Sequence, residues 1–224
     1  MSECANRVAE IQNEGAYAVL AAAQALEREG HDIVHLEIGQ PGFPSPAHVL
    51  EAGAESLRRG QTKYSDPAGL PALRKSIAQH VSRTRGLHVT PEEIVVGPGA
   101  KPGLFFTSLA LVNPGDEVMY PDPGFPTYKA MIQVAGGIPV PIPLRPDGSS
   151  FDMVAFHDKI SAKTKMVVLN SPSNPTGGVM PIDDLKKIAL AAVANDAFVL
   201  SDEIYSGLVY GESKMASVWC SNAA

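Results

Sequence analysis

The sequence predicts an α/β protein: a mostly parallel sheet flanked by helices, with an N-terminal arm or partial small domain ahead of it. Three observations point to this class. From Thr90 onward, short apolar runs alternate with helical patterns of roughly a dozen residues, the rhythm of strand–helix–strand crossovers. The apolar runs stop at turns rich in glycine, proline and asparagine, as at "NSPSNPTGG" from Asn170. With 224 residues, 45% hydrophobic and 19% charged, the chain can bury a substantial core.

Taken in order, the alanine-rich stretch from about Val8 to Glu29 predicts a helix, with Gly15 as a point of interruption and Gly30 at the cap position. "IVHLEI" predicts a strand, and "GQPGFPSP" from Gly39 to Pro46 a loop. Helices are expected over Ala47 to Arg59 and Leu70 to Arg85. Beyond Thr90 the apolar runs "EIVVG", "EVMY", "KMVVLN" and "AFVL" predict buried strands, separated by helices in "KPGLFFTSLALV", "PTYKAMIQVA", "DMVAFHDKI" and "IDDLKKIALAAVA". "IPVPIPL" carries prolines that cannot donate to a ladder, so it is expected at a sheet edge. Two domains follow: residues 1–45 as the arm or partial small domain, and residues 46–224 as the sheet domain.

A net charge of -6 and a pI near 5.5, with no basic stripe, argue against nucleic acid as a partner. Cys4 and Cys220 stand near opposite ends in no ligand-like spacing, so neither a disulfide framework nor a zinc site is indicated. The N-terminus shows no basic segment followed by an apolar core, and no membrane partner is expected, so a cytoplasmic location is the default. "HDIVH", His31 to His35, imitates a metal-binding helix. It falls in a strand-like run, where the two histidines lie far apart, so no metal site is expected.

The strand ends carry the chemistry, because open α/β sheets bind ligands at the carboxyl ends of their strands. "EIVVGPGAKPGLFF" is a glycine turn leading into a helix, an arrangement that suits a phosphate. Its Gly97, Gly99 and Gly103 miss the dinucleotide spacing, and a purely structural turn is the other reading. "PDPGFPTY" offers Phe125, an aromatic able to stack on a planar ring or to plug a core. "NSPSNPTGG" offers Asn174, and "FVLSDEIY" offers Asp202 and Tyr205. Together they suit a flat, phosphorylated heteroaromatic ligand whose ring nitrogen is held protonated by a carboxylate.

The ordered set "YSDPAGLPALR", "GPGAKPG", "NPGDEVMYPDPGFPTY", "NSPSNPTGG" and "SDEIY" closely resembles the class I aminotransferases, pyridoxal-phosphate enzymes of fold type I. The resemblance implies transfer of an amino group between an amino acid and a 2-oxo acid, with pyridoxal 5'-phosphate as cofactor. It implies that the backbone of Gly99, Ala100 and Lys101 cradles the cofactor phosphate and that Phe125 stacks on the pyridine ring. Asn174 and Tyr205 would hydrogen-bond the ring's phenolic oxygen, and Asp202 would face the ring nitrogen, with Asp202 and Tyr205 as the catalytic pair present. Gly39, with Phe125 and Asn174, would border the substrate. Tyr64 would reach the phosphate of a neighbouring subunit, implying a homodimer with shared sites. A cis peptide is expected at Asn174–Pro175.

The family's Schiff-base lysine lies well downstream of the "SDEIY" motif, and no lysine here matches it. Lys214 follows Asp202 too closely, Lys101 belongs to the phosphate turn, and Lys186 and Lys187 sit on a polar helix face. The chain is therefore expected to be truncated and, as given, catalytically incomplete. A lyase of the same fold and a non-catalytic binding module remain as alternatives, and a dehydrogenase half-domain is disfavoured by the glycine spacing.

Overall fold

The computed structural model describes Ala5, Ile11 and residues 15–218. Cys4, Cys220 and the part of the first expected helix that precedes Gly15, apart from Ile11, lie outside the described residues. The chain forms two compact units, Asn13–Leu70 and the residues from Pro71 on. The division therefore falls later than residue 45. The first unit includes helix α2 (Ala47–Arg58), which has no buried residue.

In the first unit, helix α1 spans Gly15–Arg28 and the chain then turns at Gly30, whose φ of 92° suits a residue without a Cβ. The expected strand "IVHLEI" does not form. Strands need a partner, and among the described residues this segment has none. Val34 and Leu36 are instead exposed, and the His35 ring is held between Glu37 (2.6 Å) and Glu27 (2.8 Å). Those two carboxylates, Glu37 first, raise the imidazole to about 9.

The second unit opens with α3 (Pro71–Arg85) and a short 3-10 turn at Pro91–Glu93. The expected strand "EIVVG" is also absent. The Arg74 guanidinium donates to the Pro91 and Ile94 carbonyls, both at 3.0 Å, and Val95 stays exposed. Then come α4 (Ala100–Leu111), β1 (Glu117–Asp122), α5 (Thr127–Val134), β2 (Ile138–Pro143), α6 (Met153–Lys159), β3 (Thr164–Asn170), α7 (Ile182–Ala194) and β4 (Phe198–Asp202). Among the described residues the sheet has the order β2-β1-β3-β4, with every neighbouring pair parallel. The proline-bearing β2 lies at an edge, where its missing donors cost no second ladder.

β3 is buried along nearly its whole length, as a parallel strand covered on both faces must be. Its alternation sorts the core into two layers. Val167 and Leu169 join Met119, Phe156, Leu185 and Ile188 on the face covered by α6 and α7. Met166 and Val168 join Val118, Leu104, Tyr128 and Ile132 on the face covered by α4 and α5. Burying each such aliphatic side chain contributes about 1.5–3 kcal/mol. This sandwich fixes the strand ends on which the candidate site is built.

Candidate active site at the strand ends

The carboxyl ends of β1, β3 and β4 and the start of α4 surround a cavity of about 190 Å³. From α4 it takes Ala100, Lys101 and Leu104, and from the segment after β1 it takes Phe125 and Tyr128. The end of β3 and its turn supply Asn170 and Asn174, and the end of β4 supplies Asp202, Ile204 and Tyr205. The structure thus gathers six of the residues singled out from sequence: Ala100, Lys101, Phe125, Asn174, Asp202 and Tyr205. Gly99 stands next to them as the N-cap of α4. Gly39 and Tyr64 belong to the other unit. Lys214, Lys186 and Lys187 are exposed and do not line the cavity.

The α4 end is shaped for an anion. Gly99 sits at φ 87°, a conformation that side-chain-bearing residues rarely adopt. The helix that follows directs its first N–H groups and the positive end of its dipole outward. The Lys101 ammonium lies over the Phe125 ring, 5.3 Å from its centroid.

The turn after β3 is locked from several sides. Asn170 Oδ1 accepts from the Asn174 N–H at 2.7 Å, the Ser173 N–H donates to the Gly178 carbonyl at 2.9 Å, and the Gly177 N–H donates to the Ser173 carbonyl at 2.8 Å. The Thr176 hydroxyl reaches the Gly148 carbonyl at 2.8 Å. Asn174–Pro175 is cis, as are Ser171–Pro172 and Asp122–Pro123. Asn174 is therefore presented on a braced turn.

Asp202 is 8% exposed and each of its carboxyl oxygens has a donor. The Tyr128 hydroxyl donates to Oδ2 at 2.8 Å, and the Ile204 N–H donates to Oδ1 at 3.2 Å. Burial first, then the neighbouring Asp202 charge, pushes the Tyr128 phenol far above the usual tyrosine range, so it remains a donor. Immediately beyond, Glu203 is clamped by Arg85 Nη2 at 2.6 Å and Nε at 3.0 Å. That pair ties the segment after β4 to the end of α3.

Sequence reasoning missed Tyr128 and Asn170. Both stand inside quoted motifs, but Tyr128 has the spacing of a helix core residue and Asn170 reads as the last residue of a strand. Position within those two motifs was the available signal.

The cavity fits pyridoxal 5'-phosphate by the chemistry of its lining. A half-buried aromatic suits a flat ring, a buried carboxylate suits a ring nitrogen, an amide and a phenol suit a phenolic oxygen, and a glycine-capped helix start suits a phosphate.

Comparison with known proteins agrees with this reading. The family pattern "Aminotransferase class I and II" matches residues 31–224. The aspartate/prephenate aminotransferase of Thermus thermophilus is 41% identical over 211 residues, covering 94% of this chain and 55% of that protein. The aspartate aminotransferase of Geobacillus stearothermophilus is 36% identical over 215 residues, covering 96% and 55%. Among solved structures, aspartate aminotransferase from Thermus thermophilus with maleate superposes with a TM-score of 0.93 at 39% identity, covering 99% of this chain and 58% of that one. Alanine aminotransferase from Pyrococcus furiosus gives 0.91 at 30% identity, covering 96% and 56%. The chain spans about 55% of the length of these curated relatives.

Proposed function

The chain belongs to the class I and II aminotransferase family, and from that premise we propose that it is the cofactor-holding part of an enzyme that moves amino groups between amino acids and 2-oxo acids. The observation that carries the reading is the position of Asp202. It is a buried carboxylate at the end of a parallel strand, in one cavity with Phe125, Asn174 and Tyr205.

When bound, pyridoxal phosphate supplies a protonated pyridine ring that takes up the electron pair left by the departing α-proton of an amino acid. In this reading Asp202 keeps the proton on the ring nitrogen, because a neighbouring carboxylate favours the charged form of a base. Asn174 and Tyr205 donate to the phenolic oxygen and favour its ionised form. Phe125 packs on the ring and excludes water from one side. The α4 start, with the backbone of Gly99, Ala100 and Lys101, holds the phosphate.

Gly39 is assigned to the substrate's carboxylate end and Tyr64 to the phosphate of a second subunit, so a homodimer with shared sites is part of the proposal. Amino-acid metabolism in the cytoplasm is the setting that follows. The relatives' names make aspartate and prephenate the first candidates for substrate and partner keto acid.

The test is a transamination assay on the protein with added pyridoxal phosphate. Aspartate and alanine serve as donors against a panel of 2-oxo acids, and formation of the new amino acid is followed. Cofactor-dependent transfer supports the reading. Failure to bind pyridoxal phosphate overturns it, whereas binding without transfer is the outcome expected of a chain in which no lysine matches the Schiff-base position.

A further inference from the structure

Tyr128 joins two parts of the site that otherwise lie on separate elements. Its hydroxyl donates to Asp202 Oδ2 at 2.8 Å, and its ring meets the Phe125 ring edge-on, with centroids 5.7 Å apart and planes at 84°. It is fully buried in the layer between α5 and the sheet, packed with Leu104, Met131 and Val168. A tyrosine buried for packing alone would be replaceable by phenylalanine. Here the hydroxyl is spent on a carboxylate that also has a backbone donor on its other oxygen.

We propose that Tyr128 is a positioning residue for the cofactor. Through its hydroxyl it fixes the direction of the Asp202 carboxylate, and through its ring it fixes the Phe125 plane, so that stacking and ring-nitrogen protonation are set by one side chain. This inference rests on the cofactor reading above. Burial keeps the phenol protonated, so the brace does not switch off as the surroundings become alkaline. The other titratable groups facing the cavity are Lys101 on α4 and Tyr205 beyond β4.

The probe is pyridoxamine 5'-phosphate labelled with nitrogen-15 in the ring, which binds without a lysine bond and whose ring-nitrogen resonance reports protonation. Tyr128→Phe keeps the ring and removes the donor. The account expects binding weaker by roughly threefold to tenfold, the equivalent of one lost hydrogen bond. It also expects the nitrogen signal at neutral pH to move toward the unprotonated position.

Unchanged affinity and an unchanged signal overturn the inference. A signal that moves toward the protonated position also overturns it, because it would mean the hydroxyl only drew charge from Asp202. If the unsubstituted protein binds no pyridoxamine phosphate, the cofactor reading fails and takes this inference with it. Should Tyr128→Phe not fold, the hydroxyl proton of Tyr128 in the unsubstituted protein is the readout. It should exchange slowly with water and shift when the ligand binds, and the absence of any shift overturns the proposal.

Discussion

The Asn170 side chain donates from Nδ2 to the backbone carbonyl of Asp202 at 3.1 Å, across two residues that are register partners in the β3–β4 pair. Its other atom, Oδ1, accepts from Asn174 N at 2.7 Å. One buried amide therefore links the residue assigned to the ring nitrogen with the residue assigned to the phenolic oxygen.

Asn170→Ala should release both. The predicted loss is about 1–3 kcal/mol of stability, since the Asn174 N–H loses its acceptor, while the Asp202 carbonyl loses one of two donors and keeps the Ser171 N–H at 3.2 Å. Urea unfolding measures it, and cofactor affinity should fall in the same variant.

Gly178 ends the "NSPSNPTGG" turn, and a Cβ there would stand 2.1 Å from the Gly148 carbonyl oxygen. Gly178→Ala must push the turn away from backbone, at a cost of roughly 1–3 kcal/mol. The expected outcome is a lower unfolding midpoint together with weaker pyridoxal phosphate binding, because Asn174 moves with the turn.

Arg85 and Glu203 form a mostly buried pair, with side chains 19% and 18% exposed. Arg85→Met should leave Glu203 without its guanidinium and cost on the order of 1–3 kcal/mol, below the value for a fully buried pair because water reaches both groups. Denaturant unfolding checks the number. Glu203→Gln together with Arg85→Met should recover part of it.

The Tyr128 phenol has a raised pKa in the folded state, so the folded state holds a proton that unfolded tyrosine gives up. Its contribution is complete below the unfolded value of roughly 10 and is lost progressively as pH climbs above it. Stability should therefore fall on the alkaline side of that value, and the fall should be shallower by one proton in Tyr128→Phe. Tyr120, raised by burial and by Asp122, acts in the same sense, so the slope shrinks without vanishing. Unfolding free energy measured across alkaline pH decides this.

Much of the site could be read in the sequence because strand ends are marked locally. "KMVVLN" and "AFVLSDE" are apolar runs that stop at polar residues, so Asp202 and the turn carrying Asn174 could be placed at the carboxyl ends of strands without knowing the neighbours. "IVHLEI" and "EIVVG" have equal strand character, yet they do not form strands. Strand formation depends on a partner elsewhere in the chain, which no local pattern reveals. Tyr128 was hidden for a related reason. In "PTYKAMIQVA" it has the spacing of a core residue, and only the fold brings Asp202, far along the chain, to its hydroxyl.

The most direct test of the central claim is a crystal structure of the protein with pyridoxamine 5'-phosphate. The account predicts the ring in the cavity against Phe125, its nitrogen within hydrogen-bond distance of Asp202 and its phosphate at the start of α4. A ligand bound elsewhere, or a ring nitrogen turned away from Asp202, would contradict it.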